Sequence, residues 1–113
     1  VLIATCATGA PIGNATGSPA ATVELTAAYL DFEPTSLQLP AGVVVALTFE
    51  NLDPGILHNV TVYPAAAQQP IFRSETFAGI ATRTLLLGPL SAGNYGFVCD
   101  VHPSMTGTLT VAP

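Results

Sequence analysis

The chain reads as an all-β protein, a Greek-key β-sandwich of about seven to eight strands. Three observations carry that expectation. Short runs of β-branched and aromatic residues recur along residues 22–113, separated by clusters of Pro, Gly, Asn and Asp. Several runs alternate apolar and polar side chains, the two-residue period of a strand with one buried face. No stretch carries the 3.6-residue apolar spacing of an amphipathic helix.

The elements follow in order. Residues 9–21 are small, uncharged and rich in Gly, Pro, Ser and Thr, which is linker composition. Residues 1–21 are therefore set apart as an N-terminal extension, and the folded unit is placed at residues 22–113. Residues 23–28 and 37–39 read as strands, punctuated by Pro34 and by Pro40-Ala41-Gly42. Residues 43–49 are a run of strand formers ending at the turn-rich Asn51-Leu52-Asp53-Pro54-Gly55. Residues 58–63 read as one strand closed by Pro64. Residues 64–79 have little periodicity and are expected to wander over the surface, with one short helical turn at Ala65-Ala66-Ala67. Residues 82–87 resume the strand pattern before Gly88-Pro89, and residues 95–99 and 107–111 are two strands flanking a loop.

Composition excludes several classes. At 113 residues, half of them hydrophobic and 8% charged, the chain holds one core and is no disordered tail. No apolar run is long enough to cross a bilayer. Lysine is absent, Arg73 and Arg83 are the only basic residues apart from the two histidines, and the formal charge is −5. Such a chain has no means of gripping phosphate backbones, so nucleic acid is not an expected partner. The carboxylates are scattered, so attraction to a basic partner is diffuse. The segment Val1-Leu2-Ile3-Ala4-Thr5-Cys6 has two readings. It is either the end of a signal peptide leading to a lipid-bearing cysteine, for which Thr5 is a poor neighbour, or a stretch in which Cys6 is a small apolar residue.

The chemistry concentrates in four residues. His58 stands alone, and Cys99, His102 and Met105 follow in one short loop, Cys99-Asp100-Val101-His102-Pro103-Ser104-Met105. Two imidazoles, a thiolate and a thioether are the donors of a mononuclear blue copper site, with His and Cys in a trigonal plane and Met on a long axis. The loop lies between two strands, so its ends are pinned. His58 begins a strand directly after a Pro-Gly turn, and loops at one end of a sandwich cluster. Each residue also has a plainer reading. His58 can be a polar loop residue, Met105 core filler, and Cys99 a buried thiol or half of a disulfide with Cys6. A zinc Cys₂His₂ site using Cys6 would lack the paired close spacings such sites have.

Residues 22–113 resemble a cupredoxin, the blue copper family. The step His58-Asn59-Val60 after Asn51-Leu52-Asp53 matches the family's first-ligand strand, and residues 97–111 match its second-ligand signature. The Cys-x₂-His-x₂-Met loop is most similar to the short loops of amicyanin and pseudoazurin. The resemblance implies an electron carrier rather than an enzyme, with one type 1 copper cycling between Cu(I) and Cu(II). Its ligands would be His58, Cys99, His102 and Met105. Asn59 would tie the two ligand loops together, and His102 would be the electron port. Around it would lie the apolar or small residues Pro54, Gly55, Ile56, Leu57 and Pro103, suited to brief docking of a redox donor and acceptor. The setting implied is periplasmic or otherwise extracytoplasmic, with residues 1–21 available for association with a membrane or a complex.

Two positions depart from the pattern. Asp100 stands where those relatives usually carry Thr; it either biases the centre toward Cu(II) or points to water. Val101 stands where amicyanin has Pro, and its N–H is expected to be free to bond the Cys99 sulfur, so that Val101→Pro would lower the potential. Rival functions are weaker. A copper enzyme would need further histidines, and a binuclear site would need two cysteines in one loop. A copper carrier or delivery protein would be richer in Met or Cys. A redox subunit of a larger membrane-associated complex stays open.

Overall fold

Two sheets face each other across one apolar core in the computed structural model, which describes residues 11–113. Expectations about residues 1–10, including every use of Cys6, lie outside the described residues. The strands are β1 (Ala21–Ala28), β2 (Asp31–Glu33), β3 (Ser36–Pro40), β4 (Val45–Asn51), β5 (Leu57–His58), β6 (Thr61–Pro64), β7 (Phe72–Arg73), β8 (Phe77–Ala78), β9 (Ala81–Leu87), β10 (Gly93–Val98) and β11 (Thr106–Ala112). Seven of these have four or more residues, in line with the expected sandwich; the others are short additions at edges and ends.

One sheet has the order β2-β1-β4-β9 and the other β3-β11-β10-β6-β7, while β5 and β8 form a separate two-stranded ribbon. The core comes from the inward face of each sheet. Leu37 and Leu39 on β3 and Leu109 and Val111 on β11 alternate with exposed residues, so the two-residue period read from the sequence becomes one buried face. Leu25, Leu47 and Phe49 answer from the opposite sheet. Phe97, Phe32, Phe49 and Phe77 form a row with successive ring centroids 5.1, 6.1 and 5.5 Å apart, in tilted or edge-to-face contact. This row runs from the strand that leads into Cys99 to the residue paired with His58.

Three segments differ from the sequence expectation. Residues 58–63 are two elements, not one strand. His58 pairs with Phe77 in the ribbon, whereas Thr61 pairs with Val98 and Arg73 in the large sheet. Asn59 and Val60 make the transfer, and the Val60 N–H donates to Ser74 Oγ at 2.9 Å instead of to a strand neighbour. Residues 64–79 do not simply wander over the surface, because Phe72 and Phe77 are buried on β7 and β8. At Ala65–Ala67 there is a turn closed by Ala67 N–H to the Pro64 carbonyl.

The third difference is a tight hairpin between β1 and β2. Ala28 pairs with Asp31, leaving Tyr29 and Leu30 as a two-residue loop with φ of 54° and 60°. That is the turn normally made by Asn-Gly, and each non-glycine residue there costs about 1 kcal/mol or more. The offset comes from Asp53, whose carboxylate accepts both turn N–H groups at 2.7 and 3.0 Å.

Residues 11–20 run along the sandwich. Ile12 exchanges two backbone hydrogen bonds with Arg73, and Ala15 and Ala20 donate to Leu86 and Val44. No helix among the described residues is long and apolar enough to cross a membrane.

Candidate metal centre

Two chain segments deliver the candidate ligands, and each is pinned on both sides. The first is the turn from Asn51 to His58. Asn51 is fully buried; its Nδ2 donates to the carbonyls of Ile56 and Phe77, both at 2.9 Å, and its Oδ1 accepts the Asp53 N–H at 2.9 Å. The last contact is an Asx turn, which redirects the chain just before the ligand. Gly79 presses against this turn so closely that an added Cβ would overlap the Asp53 carbonyl and crowd Asn51 Oδ1. Gly55 N–H donates to the Gly79 carbonyl, completing the clasp.

The second segment is the loop from Cys99 to Met105. Cys99 N–H donates to the Met105 carbonyl at 3.1 Å, and Met105 N–H to the His102 carbonyl at 2.9 Å. The three residues are thus held in one small closed loop between β10 and β11.

These segments bring His58, Cys99 and His102 together, with one donor atom from each lying within 4.8 Å of the others. Cys99 Sγ is 3.6 Å from His58 Nδ1 and 4.0 Å from His102 Nδ1, and the two rings meet edge to face at 5.0 Å. Metal bonds of about 2.3 Å to sulfur and about 2.0 Å to nitrogen, at about 120° to each other, would separate those atoms by about 3.7 Å. The donor set and its spacing therefore fit a single metal ion. Soft thiolate with two imidazoles selects copper or zinc over hard cations. His58 and Cys99 are fully buried, Met105 is 1% exposed, and only His102 of the four is half-exposed. Cys99 carries a free thiol.

Charge around the site is arranged asymmetrically. Asp100 does not point to water: its Oδ2 accepts from Asn59 Nδ2 at 3.1 Å, Thr61 Oγ1 at 2.7 Å and Arg73 Nε at 2.9 Å. Its own N–H donates to Asn59 Oδ1 at 2.8 Å. The Arg73 guanidinium balances this carboxylate in a mostly buried ion pair. Val101 is half-buried and packs against the core.

Sequence reasoning missed Asp53. Its Oδ2 lies 2.8 Å from His58 Nε2 in a buried pair. Burial by itself would raise the Asp53 pKa, but the hydrogen bond from His58 and those from the Leu30 and Tyr29 N–H groups outweigh it and hold the value below the ordinary one. The available signal was the Asn51-x-Asp53 turn five residues before a candidate ligand.

Comparison with known proteins agrees with this architecture. A family model described as a cupredoxin-like domain matches residues 1–111. No curated protein sequence matches the chain. Among solved structures, auracyanin B is 28% identical, with 92% of this chain and 99% of that one covered and a TM-score of 0.78. Auracyanin A, described as a "blue" copper protein from the green thermophilic photosynthetic bacterium Chloroflexus aurantiacus, is 24% identical over 80% of this chain and 97% of its own, with a TM-score of 0.70. A reduced Cu(I) form of an amicyanin variant is 22% identical over 90% and 91%, with a TM-score of 0.61. The last two likenesses speak to the fold. As the family model spans nearly its whole length, the chain belongs to the cupredoxin-like domain family.

Proposed function

We propose that this protein is an electron carrier built around one type 1 copper, with His58, Cys99, His102 and Met105 as the ligands. When bound, copper supplies the one-electron Cu(I)/Cu(II) couple. Everything else is done by the chain. Cys99 would offer the thiolate, His58 and His102 the two imidazole nitrogens, and Met105 the thioether of that copper's donor set. Both ligand segments are clamped by backbone and Asn51 hydrogen bonds, so the donors keep their places in either redox state.

The observation that carries this reading is the buried thiol set 3.6 and 4.0 Å from two imidazole nitrogens. The difference in burial supports one route for the electrons. His102 alone reaches the surface, so it is the port through which electrons enter and leave. Pro54, Gly55 and Leu57 on one ligand segment and Pro103 on the other are exposed and apolar or small, a surface for brief docking with a donor and an acceptor. With both histidines used as ligands, the described chain has none left for a second, catalytic copper, which supports a carrier rather than an enzyme. Family membership and copper use favour an extracytoplasmic, periplasmic setting. Residues 22–113 form the redox unit, and residues 1–21, of which residues 11–21 run along the sandwich, are its means of association with a membrane or a larger complex.

A redox titration of the copper-loaded protein, followed by its visible absorption, tests the proposal. One copper per chain and one reversible electron are expected. A protein that binds copper but does not cycle reversibly contradicts it.

A further inference from the structure

Two carboxylates approach the candidate centre, and only one of them is neutralised. Asp100 is paired with Arg73 and covered by Asn59 and Thr61. Asp53 has no cationic side chain beside it among the described residues; its only recorded pair is with His58. Asp53 is 7% exposed and His58 fully buried, so little water screens the contact.

The chemistry of this pair is constrained. An ionised carboxylate accepts hydrogen bonds and cannot donate, so the 2.8 Å contact places the imidazole proton on His58 Nε2. A neutral imidazole has one N–H, which leaves the Nδ1 lone pair directed toward Cys99, 3.6 Å away. The carboxylate is itself immobilised. Tyr29 and Leu30 donate to it from the hairpin turn, and the Asp53 N–H is held by Asn51 Oδ1. The left-handed Tyr29-Leu30 turn thus fits one further purpose, fixing the acceptor that fixes the ligand.

We infer that Asp53 is a positioning residue for the metal centre, holding His58 in its metal-binding tautomer and orientation and biasing the centre toward Cu(II). This rests on the proposed role of His58 as a ligand. A carboxylate behind an imidazole makes the ring a stronger donor, and its unbalanced negative charge favours the more positive oxidation state. Cu(II) is therefore stabilised more than Cu(I).

The test is Asp53→Asn, which keeps the shape and removes the charge. To keep the hairpin from collapsing, it is made both alone and together with Tyr29→Asn and Leu30→Gly, a turn pair that adopts this geometry unaided. Affinities for Cu(II) and Cu(I) are measured by competition with chelators, alongside the reduction potential. Solvent exchange of the His58 Nε2–H is followed by nitrogen-15 NMR in the metal-free and zinc-loaded protein. Asp53→Asn in either background should weaken Cu(II) binding by about 10- to 100-fold and Cu(I) binding by less. The potential should therefore rise, and the Nε2–H should exchange faster. An unchanged ratio of the two affinities, with the wild-type spectrum retained, overturns the inference. His58→Ala serves as the separate control. Should it bind copper as the wild type does, with the same spectrum, the ligand assignment itself is at fault.

Discussion

Asn59 and Asp100 lie 41 residues apart and are joined by two hydrogen bonds of opposite sense, Asp100 N–H to Asn59 Oδ1 at 2.8 Å and Asn59 Nδ2 to Asp100 Oδ2 at 3.1 Å. Each is the neighbour of a candidate ligand, so this pair sets the distance between the His58 segment and the Cys99 loop. Asn59 is fully buried and also reaches Thr61 Oγ1 and the Ser74 carbonyl. Asn59→Ala leaves buried groups without partners at a cost of about 2–3 kcal/mol. Urea unfolding of the metal-free protein should record that loss, and copper binding should weaken with it.

Arg73 and Asp100 extend the same network. Removing one member of a mostly buried ion pair leaves a charge uncompensated, which costs about 3–5 kcal/mol where nothing else covers it. Here Asn59 and Thr61 still cover Asp100, so Arg73→Met should cost less, about 1–3 kcal/mol. Because Arg73 also no longer balances the carboxylate beside Cys99, the reduction potential should fall. Voltammetry reads that direction; an unchanged potential would mean that Asp100 exerts no field on the site.

Gly79 is the close contact behind the His58 turn. Any Cβ there meets the Asp53 carbonyl, which accepts the Ile56 N–H, and Asn51 Oδ1, which accepts the Asp53 N–H, so neither can retreat without losing a hydrogen bond. Gly79→Ala should destabilise the protein by about 1–3 kcal/mol. Thermal unfolding of the metal-free form measures it. The shift should be larger than for alanine at exposed Gly42, where an added Cβ meets nothing within 4 Å and only the positive φ of 76° opposes it.

Met105 closes the ligand loop, is 1% exposed, and is the proposed axial donor. A thioether is soft and favours Cu(I); a carboxamide oxygen is hard and favours Cu(II). Met105→Gln should therefore lower the potential while the thiolate absorption persists. Loss of all copper binding would instead assign Met105 to core packing.

Most of the sandwich was legible because burial follows a period of two. Leu37, Leu39, Leu109 and Val111 could be read as inward-facing from spacing alone. The four candidate ligands were legible for a different reason: few residue types bind soft metals, and three of them crowd into seven positions. What could not be read depends on contacts between distant segments. The break after His58 exists because Phe77 and Ser74 arrive from elsewhere to pair with it and with Val60. Phe72 and Phe77 sit on strands of two residues, too short to display a period. Tyr29-Leu30 carries no turn signature at all, because its conformation is supported by the side chain of Asp53.

The central claim is that the Cys99 thiolate binds a single copper between His58 and His102. Its most direct test is the absorption and electron paramagnetic resonance spectrum of the copper-loaded protein, recorded beside Cys99→Ala. The account predicts an intense blue sulfur-to-copper band with narrow copper hyperfine splitting, both lost in the variant. A colourless copper protein, or a spectrum that survives removal of the sulfur, would contradict it.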